Sequence, residues 1–388
     1  MSYHACYWFF TVTLQWLVAV RTGNDPVALG IIYFVTLSPL LLVSLPAGVL
    51  LDRFEVRRSM TLVQVLLVIL SLLAVTATVF GFDNYWVLLA LSCLLGVSIT
   101  VSNPAAAALA AFAVPRQDLS SAVPLQALAM NVARTVGPAL AGLLIARWGP
   151  VTPLILSGAA ACVALSLVIG LPLERRGRSG VRDDQPLTLR SGLQHAHARP
   201  PALIAVALVA MAMIFGASYL AQLPAIAAMT SGSNVAFILL TTVGGLGSLA
   251  GVLWVAVRGG TSPNLRLAFL GCLILGGAVV MLAMVRSMPL AIVALFIAGS
   301  SQFLVTTVSQ FVTQAAVDDH YRGRVLSLFY WAWGGMMPVG GLLLGLSMSL
   351  MGVSTALLLT GMVTILGTLG LWWVYRRETP SRRTVTPL

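Results

Sequence analysis

A dense group of charges stands out in a chain that is otherwise poor in them. The stretch GVLLDRFEVRRSM begins at Gly48 and carries five charged side chains within seven residues, although charged residues make up only 9% of the chain. Carboxylates and guanidinium groups this close can form ion pairs that break and re-form, which suits a switchable contact. The charged residues of the stretch are Asp52, Arg53, Glu55, Arg57 and Arg58.

A second group of polar side chains follows a helical face inside an apolar run. Gln302, Thr306, Ser309 and Thr313 recur at spacings of four, three and four, and Gln310 and Gln314 lie beside them. Because amides and hydroxyls facing lipid are costly, we expect this stripe to face a cavity or a neighbouring helix.

Arg134 is the one charge that we place near the middle of an apolar run, where an unpaired charge costs at least a few kcal/mol. No acidic residue lies within a run, so two roles stay open. Arg134 either lines a cavity and contacts an anionic or polar substrate, or it bonds backbone carbonyls near a kink at Gly137 and Pro138. Because no acidic residue lies within a run, Asp52 and Asp25 are the candidate carboxylates for binding and releasing a proton.

Motifs of soluble catalysis are missing from the sequence. A P-loop requires a lysine, and all 22 basic residues are arginines. His195 and His197 lie in a polar segment without further ligands, so the sequence contains no HExxH pattern or metal cluster. We expect a chain that is not an enzyme and that uses no cofactor or metal.

The elements that position these residues are membrane helices. At 59% hydrophobic residues and a mean hydropathy of +0.97, the chain has too little polar surface for a soluble globule. Runs of roughly 20 apolar residues, each long enough to cross about 30 Å of hydrocarbon, predict an all-α integral membrane protein with twelve transmembrane helices. The predicted spans are 3–20, 29–51, 59–80, 86–110, 121–146, 152–172, 200–225, 235–257, 265–285, 289–316, 325–348 and 353–375.

Arginine distribution predicts the orientation. With the N-terminus inside, eighteen of the 22 arginines fall at cytoplasmic positions, as the positive-inside rule requires. Both termini are therefore expected in the cytoplasm, in a multi-pass protein of the cytoplasmic membrane. The net charge of +11 reflects this topology and does not indicate a nucleic-acid partner.

The chain repeats itself at an offset of 203 residues. The AGVL at Ala47 matches the AGVL at Ala250, and the pairs Gly96/Gly299, Gly137/Gly340 and Gly142/Gly345 follow without a gap. This repeat predicts two pseudo-symmetric six-helix bundles, at 1–172 and 200–375. The polar segment 173–199 is then a cytoplasmic linker, and 376–388 is a cytoplasmic tail.

Two six-helix repeats with the same orientation in the membrane resemble the architecture of the major facilitator superfamily. The loop after the second helix is similar to that superfamily's motif at Gly48, Asp52, Arg53, Arg57 and Arg58, and it departs at Glu55, where Gly is usual. The segment NVARTVGPALAGLL from Asn131, with the helix-kink residues Gly137, Pro138 and Gly142, resembles the fifth helix of exporters. The segment from Tyr321 to Gly341 resembles the branch that contains the enterobactin exporter and macrolide-efflux proteins.

The resemblance implies a secondary active transporter that exports a drug-like or siderophore-like amphiphile by alternating access, with protons as a candidate coupling ion and a monomer as the working unit. Two alternatives stay open: an importer of a small polar nutrient and a flippase for lipid-linked molecules. Helices 1, 4, 7 and 10 would line the central cavity. The substrate-binding candidates are then Trp16, Asn103, Arg134, Tyr219, Gln222, Gln302, Thr306 and Gln310, with Trp8, Thr11 and Gln15 also on helix 1.

The gating charges have a physical partner in this architecture. Helix 11 would present free N–H groups near Arg324 and Val325, and Asp52 at the end of helix 2 could bind them when the cytoplasmic side closes. Arg53, Arg57 and Arg58 would exchange partners as the gate opens. The alternative is that these charges only fix the topology.

Overall fold

The computed structural model describes residues 2–51, 56–113, 119–170, 197, 199–230, 234–258, 264–317 and 319–378. These ranges are helical apart from short turns. The helices are α1 (Ser2–Arg21), α2 (Pro26–Leu51), α3 (Val56–Val79), α4 (Tyr85–Ala113), α5 (Leu119–Trp148), α6 (Val151–Gly170), α7 (Pro200–Thr230), α8 (Asn234–Arg258), α9 (Leu265–Ala283), α10 (Met288–Ala316), α11 (Asp319–Met351) and α12 (Val353–Glu378).

Each predicted span coincides with one of these helices to within a few residues at most ends. Within the described ranges, nine helical segments are long and apolar enough to cross a membrane, and two shorter apolar segments lie in α2 and α5. Two ends differ more. The span predicted for α7 stops at 225 but the helix ends at Thr230, and α11 begins at Asp319, six residues before its predicted start. The predicted all-helical membrane fold is confirmed.

Side-chain oxygens cap two of the helices that follow short turns. Asp25 accepts hydrogen bonds from the N–H groups of Val27 and Ala28 at 3.1 and 3.4 Å, at the start of α2. The Oδ1 atom of Asn84 accepts from the Val87 N–H at 3.1 Å at the start of α4. These bonds satisfy N–H groups that have no partner inside their own helix, so the turns can be short without exposing backbone to lipid.

Two buried cores divide the helices into two bundles. One core surrounds Phe10, Leu29 and Leu67 in α1–α6, and the other surrounds Met213 and Phe329 in α7–α12. Helix pairing repeats between the bundles: α1 packs on α5 and α6, and α3 on α4 and α6, while α7 packs on α11 and α12, and α9 on α10 and α12. The bundles therefore have the pseudo-symmetry that the internal repeat predicts.

Glycines that are equivalent in the repeat make equivalent contacts. A Cβ on Gly137 of α5 would lie 2.7 Å from the Trp8 Cβ of α1, and one on Gly340 of α11 would lie 2.1 Å from the Ile214 carbonyl oxygen of α7. Helix α5 therefore packs on α1 in the same way as α11 packs on α7. The small residues allow these helices to approach closely, which is how membrane helices commonly associate.

Helices α7 and α11 are broken near their middles. In α7, a π-turn (Ala212–Gly216) and a 3₁₀ segment (Ser218–Gln222) separate two α-helical parts, and in α11 a π-turn (Trp331–Gly335) does so. A proline follows each break, Pro224 and Pro338. Because proline has no N–H for the carbonyl four residues earlier, each break leaves a backbone acceptor to be satisfied from elsewhere.

The four cysteines divide into two kinds. Cys6 and Cys272 are buried, and each lies within hydrogen-bond distance of a hydroxyl on another helix: Cys6 Sγ is 3.2 Å from Ser157 Oγ, and Thr368 Oγ1 donates to Cys272 Sγ at 3.1 Å. Cys93 and Cys162 are instead exposed on the outer surface of the helices. Their thiols therefore face away from the protein core.

An ion pair links α1 to the turn before α4. The Arg21 Nη2 atom lies 2.5 Å from Asp83 Oδ1, with the Arg21 side chain 48% exposed and Asp83 only 1% exposed. The second Asp83 oxygen is buried without a partner among the described residues. The carboxylate therefore depends on this one guanidinium for its compensating charge.

We expect Arg21→Ala to destabilise the protein by about 2 kcal/mol, because it leaves a buried carboxylate without a counter-charge. Asp83→Asn should cost less, since a neutral amide needs no counter-charge. Thermal unfolding in detergent would measure both, and the Arg21→Ala/Asp83→Asn double variant should be more stable than Arg21→Ala alone. Additive losses would contradict the coupling between these two residues.

Candidate gate and substrate path

The close contacts described between the two halves lie toward one end of the helix bundle. We call the end that carries the turn between α1 and α2, together with Gly352 between α11 and α12, the α1–α2 face. The opposite face is the end at which α2 finishes and α3 begins. Along the described residues, the bundles meet through α2 with α11, α5 with α8, and α1 with the second part of α7.

Helices α2 and α11 are in backbone contact near the α1–α2 face. A Cβ on Gly345 would lie 2.4 Å from the Pro26 carbonyl oxygen, and one on Gly30 would lie 3.0 Å from the Gly341 carbonyl oxygen. Deeper along the pair, a Cβ on Gly334 would first meet the Leu40 side chain, at 2.7 Å. The two backbones are therefore closer at the α1–α2 face than in the middle of the pair.

Two glutamines hold this closure across the two bundles. Gln15 Nε2 on α1 donates to the carbonyls of Leu220 and Ala221 on α7, at 3.0 and 3.2 Å. Gln222 Nε2 donates in the other direction, to the Pro26 carbonyl at the start of α2, at 2.9 Å. We call these five residues the amide clamp. The Leu220 and Ala221 carbonyls belong to the 3₁₀ break in α7, so this break supplies the acceptors of the clamp.

Helix α5 adds a further contact between the bundles. A Cβ on Gly142 would lie 2.3 Å from a methyl carbon of Ile238 on α8. The internal repeat relates this α5–α8 contact to the α2–α11 contact at Gly345. The predicted kink residues Gly137, Pro138 and Gly142 lie in a helix that is continuous from Leu119 to Trp148, and the two glycines act there as close-approach points.

Toward the opposite face, polar and aromatic side chains of α10 and α11 come together. Gln310 Nε2 donates to the Tyr330 hydroxyl oxygen at 2.9 Å, and Tyr330 is 52% exposed. Tyr330 immediately precedes the π-turn of α11. An accessible amide–phenol pair next to a helix break is able to hydrogen-bond a ligand that enters between the bundles.

The polar stripe of α10 faces protein, as its spacing predicts. Gln302, Ser309 and Thr313 are buried, and Thr306 is half-buried. Thr306 and Thr313 donate to the carbonyls of Gln302 and Ser309 within their own helix, both at 2.8 Å. Gln302 Nε2 lies 4.0 Å from Met213 Sδ at the π-turn of α7. The stripe therefore joins the helix breaks to the accessible Gln310–Tyr330 pair.

The other predicted binding residues fall into two groups. Tyr219 and Gln222 are fully buried at the 3₁₀ segment of α7, and Trp16 is partly buried where α1 packs against both cores. In this conformation they belong to the closure between the bundles. The side chains of Asn103 and Arg134 lie outside the described part of the chain, although the backbone of both is helical, in α4 and α5.

The predicted gating residues are only partly described. Arg57 donates to the carbonyl of Ile169 at the end of α6, where a cation is favoured by the helix dipole, and Arg58 is exposed. Gly48 lies in the helical backbone of α2, and Asp52 and Arg53 lie outside the described residues. The expected start of helix 11 near Val325 was wrong: α11 begins at Asp319, so free N–H groups lie at Asp319 to Arg322 instead.

Sequence reasoning missed the clamp. Gln15 was one of several polar residues on α1, and nothing in its neighbourhood distinguished it. The available signal was Pro224 within an apolar run, which marks an interruption of the α-helical hydrogen-bond pattern. Which helix bonds to that interruption depends on packing between the bundles, and spacing within one helix does not carry this information.

Two pseudo-symmetric six-helix bundles that meet closely at one face are the architecture of membrane transporters of the major facilitator type. A family model described as transmembrane secretion effector matches residues 4–384, and the chain belongs to this family within the major facilitator superfamily.

Curated relatives of the chain are transport proteins. It is 24% identical over 375 residues to the Staphyloferrin A transporter of Staphylococcus aureus (strain NCTC 8325 / PS 47), covering 95% of this chain and 93% of that protein. It is 26% identical over 372 residues to the multidrug efflux pump Tap of Mycolicibacterium fortuitum, covering 91% of this chain and 90% of that pump. The predicted membership of the superfamily is confirmed.

Solved structures share the fold at low identity. A bacterial homologue of the human lysosomal transporter Spinster, in an inward-facing and unoccupied conformation, has a TM-score of 0.75 at 13% identity, with 99% of this chain and 98% of that one covered. A D-xylose–proton symporter has a TM-score of 0.74 at 14% identity, with 96% and 95% covered. At these identities the likeness concerns the fold alone.

We expect Gly345→Val to open the α1–α2 face, because the added carbons would overlap the Pro26 carbonyl and push α11 from α2. The reporter of opening is Ala221→Cys, which places a thiol at a buried position of the clamp. It is introduced into a protein whose exposed Cys93 and Cys162 are replaced by serine. Labelling by a maleimide should accelerate at least severalfold.

Gly277→Val is the matched control, since a Cβ at Gly277 meets nothing within 4 Å. It should leave the labelling rate of Ala221→Cys unchanged. Equal rates in the Gly345 and Gly277 variants would show that close packing at Gly345 does not hold the face shut.

Proposed function

We propose that the protein exports a small organic molecule across the cytoplasmic membrane by alternating access. The observation that carries this proposal is the family match over 4–384, together with relatives named as a Staphyloferrin A transporter and a multidrug efflux pump that align over nine-tenths of the chain. We take both termini to be cytoplasmic, which makes the α1–α2 face extracellular. The working unit is a monomer, since the two bundles form a pathway between them.

In this assignment the structure corresponds to a state that is shut to the outside. Substrate would enter from the opposite face, between the two bundles, and reach the polar stripe of α10. Rocking of the bundles would then break the amide clamp and expose the substrate to the exterior. Hydrogen bonds of about 1 kcal/mol each allow the clamp to open on the timescale of transport.

The side chains on this path suit an uncharged or weakly charged amphiphile. Gln310 and Tyr330 offer an amide and a phenol, Thr306 adds a hydroxyl, and the aromatic ring of Trp16 lies between the two cores. Such groups recognise carbonyl, hydroxyl and aromatic parts of a drug-like or siderophore-like molecule. Arg134, in the middle part of α5, is proposed to add a contact to an anionic group on the substrate.

Uptake into inverted membrane vesicles tests this function. Vesicles that contain the protein should accumulate at least one member of a panel of drugs, dyes and catecholate siderophores, several times above vesicles without it. Protons are the proposed coupling ion, so accumulation should collapse when the pH gradient is dissipated.

Gln310→Leu/Tyr330→Phe is the informative variant here, because it removes the accessible hydrogen-bonding pair and keeps the shape. It should raise the KM of the accumulated compound, with protein abundance unchanged. Accumulation that appears only in right-side-out vesicles would overturn export in favour of import. Movement of a lipid-linked probe alone would favour a flippase.

We also propose that Asp52 latches the cytoplasmic face when it closes, by binding the free N–H groups at the start of α11. Asp52→Asn should reduce turnover several-fold while leaving substrate affinity and abundance nearly unchanged, because the latch acts on the conformational change. Glu55→Gln is the control in the same loop and should have a smaller effect. Equal turnover in wild type and Asp52→Asn would refute the latch.

A further inference from the structure

A patch of arginine and aromatic side chains lies where α9 begins and α12 ends, at the opposite face. We define the α9–α12 patch as Arg266, Phe269, Trp372, Trp373, Tyr375, Arg376 and Arg377. It is separate from the substrate path, which lies between the two bundles, because α9 and α12 pack on each other within the second bundle.

Aromatic contacts fix the shape of the patch. The Phe269 ring centroid lies 4.9 Å from that of Trp372 and 5.8 Å from that of Tyr375, so α12 is tied to α9 through three rings. Arg266 lies one turn before Phe269, and its N–H is held at 3.0 Å by Asn264, which caps α9. The rings thereby bring guanidinium groups from two helices to the same end of the bundle.

Each arginine of α12 lies over an indole ring. The Arg376 guanidinium carbon is 5.0 Å from the Trp372 ring centroid, and that of Arg377 is 3.4 Å from the Trp373 centroid. The arginines are exposed, and Trp373 is 54% exposed. These cation–π contacts hold both charges near the aromatic level, and the guanidinium edges stay free to donate hydrogen bonds.

The sequence around the patch is strongly basic. Arg258 ends α8, and Arg382 and Arg383 follow α12 closely, whereas Glu378 is the only acidic residue in these segments. Helix α12 is also widely exposed, since only 22% of its apolar stretch is buried inside the protein. A positive charge beside a lipid-exposed helix attracts the anionic headgroups of the bilayer.

We propose that the α9–α12 patch is a binding site for an anionic phospholipid. The phosphodiester accepts hydrogen bonds from Arg266, Arg376 and Arg377, Trp373 lies at the headgroup level, and the acyl chains run along the exposed apolar surface of α12. Arginine pairs with phosphate through two parallel N–H donors, and tryptophan is enriched at the membrane interface, so each residue type matches one part of the lipid.

Lipid retention by the purified full-length protein tests the site. After exchange into neutral detergent with phosphatidylglycerol or with phosphatidylcholine, native mass spectrometry and thermal unfolding would count bound lipid and its stabilising effect. We expect phosphatidylglycerol to be retained and to raise the Tm, and phosphatidylcholine to do so much less. Arg376→Gln/Arg377→Gln should weaken phosphatidylglycerol binding by more than tenfold, at about fivefold per arginine.

Arg147→Gln/Arg286→Gln is the matched control, because it removes the same charge from two exposed arginines at the α1–α2 face. Retention should be unchanged in that variant. Trp372→Leu/Trp373→Leu keeps every charge and should still lower retention, because the rings position the arginines. Equal losses in the two arginine variants, or equal stabilisation by inorganic phosphate alone, would overturn the assignment.

Discussion

The need to satisfy every backbone polar group without water governs this structure. In hydrocarbon an unpaired carbonyl costs several kcal/mol, so helices are the default and each break in a helix must find a donor. The break in α7 places the Leu220 and Ala221 carbonyls in a 3₁₀ segment just before Pro224. Gln15 donates to both of them, although it belongs to the other bundle. Part of the hydrogen bonding at this break is thereby made only where the two halves of the protein meet.

Small residues make this solution possible. An amide reaches across two helices only where their backbones come close, and Gly345, Gly30 and Gly142 lie where the bundles meet. The pseudo-symmetric counterpart of the α2–α11 contact is the α5–α8 contact, so the closure has two similar sides. Rigid bundles joined by such contacts rock about them more readily than they deform, because packed cores resist continuous change.

Much of the fold could be predicted from sequence, because the physics that sets it is local. Twelve apolar runs of membrane-spanning length have few alternatives in a bilayer, and the 203-residue repeat predicts their division into two bundles. The start of α11 was missed since Asp319 to Arg324 is polar, and hydropathy does not report the part of a helix that extends beyond the hydrocarbon.

The candidate site was less predictable. Spacing placed Gln302 and Thr306 on one face of α10, which is a property of a single helix. It did not distinguish Gln222, which bonds to Pro26 across the bundles, from Gln310, which bonds to an accessible tyrosine. Both are glutamines in apolar runs, and only the relative position of the bundles separates a gate residue from a ligand-facing one.

The two faces differ in the chemistry available for closing them. The amide clamp consists of neutral donors and backbone acceptors, and ionic strength and pH have little effect on such bonds. The opposite face carries the charged loop around Asp52 and Arg57, and contacts between charged groups are screened by salt. If the proposed latch closes that face, the two gates differ in their response to ionic strength, because only one of them relies on charge.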